Sequence, residues 1–158
     1  MIEPTLFDAP TGTTRRHPSG PSEVSLAEAR RSYLQGIADD GAVCPCCERH
    51  GRIQPRRLNA GMAASLVWLC AQKPDADGYI DVPHRAPRFV LNNRELGRLT
   101  LWGLIEAKPN DDEHKRTSGK WRPTTRGRMF AIGELQVQSH ALVYNRQCEG
   151  FAGEPVDV

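Results

Sequence analysis

The run ELGRLTLWGLIEAKPNDDEHKRTSGKWRPTTRG, residues 95 to 127, changes character three times along its length. Projected at about 100° per residue, Leu96, Leu99 and Gly103 share one side of a helix, with Trp102 beside them, while Arg94, Gly97, Arg98 and Leu101 fall opposite. Asn92-Asn93-Arg94-Glu95 supplies a side-chain cap, so a helix is expected from Asn92 or Asn93 to about Leu104. Ile105-Glu106-Ala107-Lys108 then reads as a strand, Pro109 to Gly119 as a charged loop and Lys120-Trp121-Arg122-Pro123 as a second strand. This is a hairpin with a long tip. Thr124 or Thr125 caps a further helix over about 126 to 133.

Upstream, Asn59 caps a helix of about 60 to 72, where Met62, Ala63, Leu66, Val67, Trp68, Leu69 and Cys70 leave almost no polar side, which predicts burial. Tyr79-Ile80-Asp81-Val82 reads as a short strand, and Pro83 and Pro87 limit Val82 to Leu91 to at most one helical turn. Ser25-Leu26-Ala27-Glu28 has capping-box spacing and opens a helix of about 26 to 38. Its stripe Leu26, Ala29, Tyr33, Leu34 and Ile37 is expected to pack inward. Downstream, Leu135 to Tyr144 alternates as a strand and turns at Asn145-Arg146 to a return strand ending near Phe151. The fold class is therefore α+β. Its segments are a Pro-, Thr-, Gly- and Ser-rich disordered tail over 1–21, a helix and cysteine turn over 22–58, a helical and hairpin module over 59–133, a C-terminal β-hairpin over 134–152 and a tail over 153–158. Within the first tail, Thr5-Leu6-Phe7-Asp8 is a candidate linear motif for a partner groove.

The chain of 158 residues suits one domain with appendages. Its longest apolar run, Leu58 to Gln72, is too short to cross a bilayer, and the first twenty residues contain no apolar block, which together predict a cytoplasmic protein. Net charge is only +2, but residues 44 to 128 hold sixteen Lys and Arg against nine acids, while both ends are acidic. A basic middle suits a polyanion, and nucleic acid rather than a membrane surface, because no amphipathic basic helix accompanies it. A solvated arginine-rich face has the same composition.

Helix, short strand, helix, then strand, charged loop and strand is the order of a winged helix-turn-helix. Leu101 to Glu106, the charged segment Asp111 to Arg116, and Pro123-Thr124-Thr125-Arg126-Gly127 resemble the recognition-helix end, the wing and the strand-to-helix step of MarR-like regulators, over residues 59 to 133. The whole chain is also similar to small phage-type proteins with a two-cysteine turn before a winged helix. The proline-interrupted 82–91 segment and the lack of flanking dimerisation helices depart from the MarR pattern. The resemblance implies a DNA-binding protein with its recognition helix in the major groove. Asn92 or Asn93 would face adenine and Arg94 or Arg98 guanine, Gly97 would permit close approach, and Leu101 would touch a thymine methyl. Lys115, Arg116, Lys120 and Arg122 of the wing would meet phosphates. Double-stranded DNA is the implied partner; the alternative is an adaptor or inhibitor that docks a host protein through Leu101 and Trp102. A homodimer stays open.

Cys44-Pro45-Cys46-Cys47 contains a Cys-x-x-Cys pair, Cys44 and Cys47, of the kind that forms half of a zinc knuckle. His50 is the expected third ligand, and His84, Cys148 or a group from a second subunit the fourth. A metal-free turn and a redox pair are the competing readings, the latter disfavoured because no helix follows the turn. Arg49, Arg52, Arg56 and Arg57 would extend the basic surface. No phosphate loop, serine elbow or paired carboxylate is present, and His84, Asn92 and His114 match a His-Asn-His nuclease poorly, so a non-catalytic protein is expected.

Overall fold

The computed structural model describes residues 24–110, 112 and 117–158. The polypeptide is α+β, and its described residues form three small antiparallel sheets. Helix α1, Leu26–Ala38, starts at the expected capping box: the Glu28 amide donates to Ser25 Oγ, and Glu28 Oε2 accepts from the Ser25 amide at 2.9 Å. Its stripe packs less than its spacing predicts. Ile37 is buried and Ala29 and Tyr33 are partly covered, whereas Leu26 is 74% and Leu34 44% exposed. The small hairpin of β1, Ala42–Val43, and β2, His50–Gly51, meets this helix. It is too small to cover every apolar position.

Strand β3, Gln54–Arg57, lies beside β7, Val137–Tyr144, which pairs with β8, Gln147–Val156. Asn145 and Arg146 both take positive φ, 47° and 68°, the pair a tight primed turn requires. One expectation changes here. Val156 pairs with Val137, so the segment read as a tail from 153 is mostly strand. The arginine-rich stretch after the cysteine turn, for which the sequence indicated no element, supplies the edge strand of the same sheet, where Pro55 costs no internal ladder bond.

The main core joins Met62, Leu66 and Leu69 of α2, Ala60–Ala71, to Leu96, Leu99, Trp102, Leu104, Ile105 and Phe130. Asn59 caps α2 as expected, accepting the Met62 amide at 2.9 Å. The expectation that α2 is buried on all sides is not met. Ala64 and Val67 face solvent, and Ala60, Ala64, Val67 and Phe89 line an apolar groove with Val156 and Val158.

After β4, Ile80–Asp81, two short helices, α3 at Val82–Arg85 and α4 at Arg88–Asn93, occupy the interval that the prolines were expected to keep to one turn. Both prolines sit in first-turn or cap positions, where a missing N–H costs nothing. The helix expected from Asn92 to Leu104 is also different. Arg94 takes φ 50° and ends α4, and Leu96–Trp102 forms a 3₁₀ helix closed by Gly103 at φ 66°. With three residues per turn, Leu96, Leu99 and Trp102 align on one line, and all three are buried. A core that takes every third side chain favours this tighter winding over the 3.6-residue pattern.

Strand β5, Ile105–Ala107, and strand β6, Lys120–Pro123, pair as the expected hairpin, with Glu106 opposite Arg122, and β4 joins the free edge of β6. Helix α5, Thr125–Ala131, is capped by Thr124, which accepts the Gly127 amide at 3.0 Å. A Cβ on Gly127 would lie 1.9 Å from the Leu104 carbonyl oxygen, so only glycine lets α5 approach the strand here. Among the described residues, no helix is long and apolar enough to cross a membrane.

Candidate nucleic-acid interface

Three separate pieces of chain converge on one groove. The bend at Arg94 and the outer face of the 3₁₀ helix contribute Gly97, Arg98, Thr100 and Leu101; edge strand β3 contributes Arg56; and the β7–β8 turn contributes Arg146. The groove has a volume of about 910 Å³ and is also lined by Thr117 and Val143. All four guanidinium-bearing residues are exposed. Among the described residues, Arg94 and Arg146 have no hydrogen-bond or ion-pair partner. Arg98 pairs with Glu95, whose other oxygen accepts from Asn59 Nδ2 at 2.6 Å. Arg56 donates to Gln54 Oε1 at 2.6 Å. Among the described residues, four cations with one paired carboxylate between them make a positive surface.

Arg94, Gly97, Arg98 and Leu101 thus come together as the sequence led one to expect. Asn92 and Asn93 do not join them. They end α4, and the Asn93 amide lies against α2, its nitrogen 2.5 Å from where a Cβ on Gly61 would stand. Leu101 is only partly exposed and packs against the core, and Trp102 is buried with its indole N–H bonded to the Gln138 carbonyl at 2.7 Å. Trp102 is therefore not available to dock a host protein, a correction to that reading. Arg146 was visible in sequence only as a turn residue; its approach to Arg94 and Arg98 depends on which strand covers which edge.

The wing cations behave otherwise. Lys115 and Arg116 lie outside the described residues. Lys120 Nζ sits 3.4 Å from Asp77 and 3.7 Å from Asp75, and Lys108 reaches Asp77 at 2.8 Å. Arg122 pairs with Glu106 across the hairpin and stacks over Tyr79, 4.7 Å from the ring centre. The hydrogen bond from Lys108, then that of the Tyr79 amide, pull the Asp77 carboxyl down to about 2, and Glu106 raises the Arg122 pKa further. These charges are already met from within the chain.

At the cysteine turn, the Cys44 amide donates to Arg49 O at 2.9 Å and the Glu48 amide to Cys44 O at 2.8 Å, while Glu48 takes φ 58°. The Cys46 and Cys47 amides donate to the Cys44 sulfur and, with the neighbouring thiols, lower its pKa despite partial burial. Cys44 and Cys47 thus lie in one turn closed by backbone hydrogen bonds. His50 points elsewhere: its ring lies over Gly41, with Nε2 2.8 Å from where a Cβ on that glycine would be. Among the described residues, no group of three His, Cys, Asp or Glu side chains is arranged to hold one metal ion. Beside the turn, the Tyr33 and Tyr144 hydroxyls bond at 3.1 Å, and that bond, with desolvation, raises the Tyr33 pKa to about 12. No protein-family model, curated protein or solved structure matches the chain.

Proposed function

We propose that this is a non-catalytic double-stranded-DNA-binding protein that seats one sugar-phosphate backbone in the groove of Arg56, Arg94, Arg98 and Arg146. The observation that carries the reading is the convergence of four exposed arginines from three distant segments, two of them without a partner among the described residues. A guanidinium is weakly hydrated and presents a fork that fits phosphate oxygens, so such a cluster gains more from phosphate than lysines would. The order of α2, β4, α3 with α4, the 3₁₀ helix and the β5–β6 hairpin supports a winged-helix plan for residues 59 to 133.

The mode of contact follows from the local geometry. A 3₁₀ helix of seven residues is about 14 Å long at about 2 Å per residue, and its inner line is committed to the core. It presents Gly97, Arg98, Thr100 and Leu101 outward, and the Thr100 hydroxyl is tied to Gly97 O at 2.8 Å. Backbone contact then supplies most of the affinity, and Arg94 and Arg98 are the side chains in reach of base edges. Lys120 and Arg122 organise the hairpin more than they meet phosphate.

Fluorescence anisotropy of a labelled random duplex, titrated at several salt concentrations, tests the reading. Neutralising four phosphates gives a slope of log affinity on log salt of about −3.6. Absence of binding at about 50 mM salt, well below the range in which such contacts are screened away, would overturn it.

A further inference from the structure

We propose that Cys44 and Cys47 form one half of a tetrahedral zinc site, and that the same two cysteines of a second copy of this chain complete it. The inference does not depend on the DNA reading. Strands β1 and β2 hold the turn at both ends, Val43 opposite His50, and the Cys44 to Arg49 and Glu48 to Cys44 backbone bonds close it. Glu48 in the left-handed region folds the chain back immediately after Cys47. The turn that carries both cysteines is thus closed by the backbone before any ion arrives.

A structural zinc ion takes four ligands, and the described part of this chain supplies two. His50 faces Gly41, Cys70 is half buried in α2, and the Cys148 thiol donates to the carbonyl of Gly150 in the C-terminal hairpin. The surroundings of the turn indicate what brings the other two. Leu26, Leu34, Val43 and Val24 are 74%, 44%, 59% and 52% exposed, and all belong to or adjoin the helix and hairpin that carry the cysteines. A second copy related by a two-fold axis through the metal would cover one such rim with another. It would also place four sulfurs around one ion. Arg30, which lines the cleft beside Cys44, offers positive charge against the surplus negative charge of a four-thiolate site. Each thiol releases its proton to solvent on binding, and no electron is transferred.

The test uses the full reduced chain, loaded with zinc and dialysed, with metal content and light-scattering mass measured together. The expected result is half an equivalent of zinc per chain in a dimer that chelator converts to monomer, and cobalt in its place should give the intense visible bands of tetrahedral thiolate coordination. Cys44→Ser and Cys47→Ser should each give metal-free monomer. Cys46→Ser should keep both metal and dimer. Val43→Glu leaves all thiols in place and should lower the dimer's affinity and its zinc retention together, which separates site loss from unfolding. One equivalent of zinc in a monomer, no zinc at all, a dimer that survives chelation, or loss of metal in Cys46→Ser would each overturn the proposal.

Discussion

The two basic surfaces of this protein have similar residues and opposite electrostatics. On the hairpin side, Lys108, Lys120, Arg122 and Arg85 are each matched by Asp77, Asp75 or Glu106, with Tyr79 under Arg122. In the groove, among the described residues, Arg98 alone of the four arginines is paired with a carboxylate, that of Glu95. Counting cations along the chain does not distinguish these surfaces. What distinguishes them is the identity of the neighbours: the loop around Asp75 and Asp77 folds against the hairpin, while β3, the Arg94 bend and the β7–β8 turn bring no acid besides Glu95. A paired exposed cation contributes little to a new partner because the existing pair must first be broken.

Charge reversal should separate the surfaces most sharply. The double variant Arg94→Glu and Arg98→Glu removes one charge-assisted contact of about 1.5 kcal/mol or more at Arg94 and a smaller one at Arg98, whose pair with Glu95 must first be broken, a loss of more than about tenfold in duplex affinity. Arg122→Gln, on the paired side, should change the same anisotropy titration by less than about twofold. Equal losses in both would show that the paired surface also binds and would undo the contrast.

The next effect is on stability. Gly127→Ala places a methyl against the Leu104 carbonyl oxygen, which is backbone and cannot rotate away, so α5 must retreat from β5. Overpacking of this kind costs about 3 kcal/mol, or a fall of roughly 9 °C in Tm for a chain of this size. Calorimetry should show that fall with DNA binding retained at lower temperature, because the arginine groove does not involve α5.

Two smaller effects concern titration. The Asp77 carboxyl, held at about 2 by Lys108 and the Tyr79 amide, has its folded pKa below the unfolded one. Its contribution is complete above about pH 4, the ordinary carboxylate value, and is lost as pH falls towards 2. Asp77→Asn should therefore lower stability at neutral pH and flatten the acid limb of the unfolding profile between those values; an unchanged limb would show that the pairing is not energetically felt. Tyr33 is the reverse case. Its folded pKa, raised to about 12 by the Tyr144 hydroxyl, means stability is present below about pH 10 and lost as pH rises through that interval. Tyr33→Phe should remove this alkaline dependence with only a slight change at neutral pH, followed by circular dichroism.

Much of the secondary structure was legible from local chemistry. The Ser25–Glu28 box, the Asn59 and Thr124 caps, the β5–β6 hairpin and the turn at Asn145 and Arg146 are set by residues within a few positions of one another, and each occurs where spacing placed it. The segment after Asn92 differs from its local pattern because its period depends on the core. Leu96, Leu99 and Trp102 are all buried at three residues per turn, whereas a 3.6-residue projection puts Gly103 in place of Trp102. The exposed stripe of α1 and the open face of α2 have the same origin: an apolar sequence states a preference for burial, but whether enough chain exists to cover it depends on the sizes of the surrounding elements.

The candidate sites divide in the same way. Sequence alone specified Arg94, Arg98 and the Cys44–Cys47 pair, because a bend and a turn bring near neighbours together whatever the rest of the chain does. Only the tertiary structure added Arg56 and Arg146 to the groove, set Asn93 against α2, buried Trp102 and laid the His50 ring over Gly41. Those outcomes depend on strand order and packing between segments as much as 90 residues apart, and such contacts are settled by the global competition for burial and hydrogen bonds, which no local pattern records.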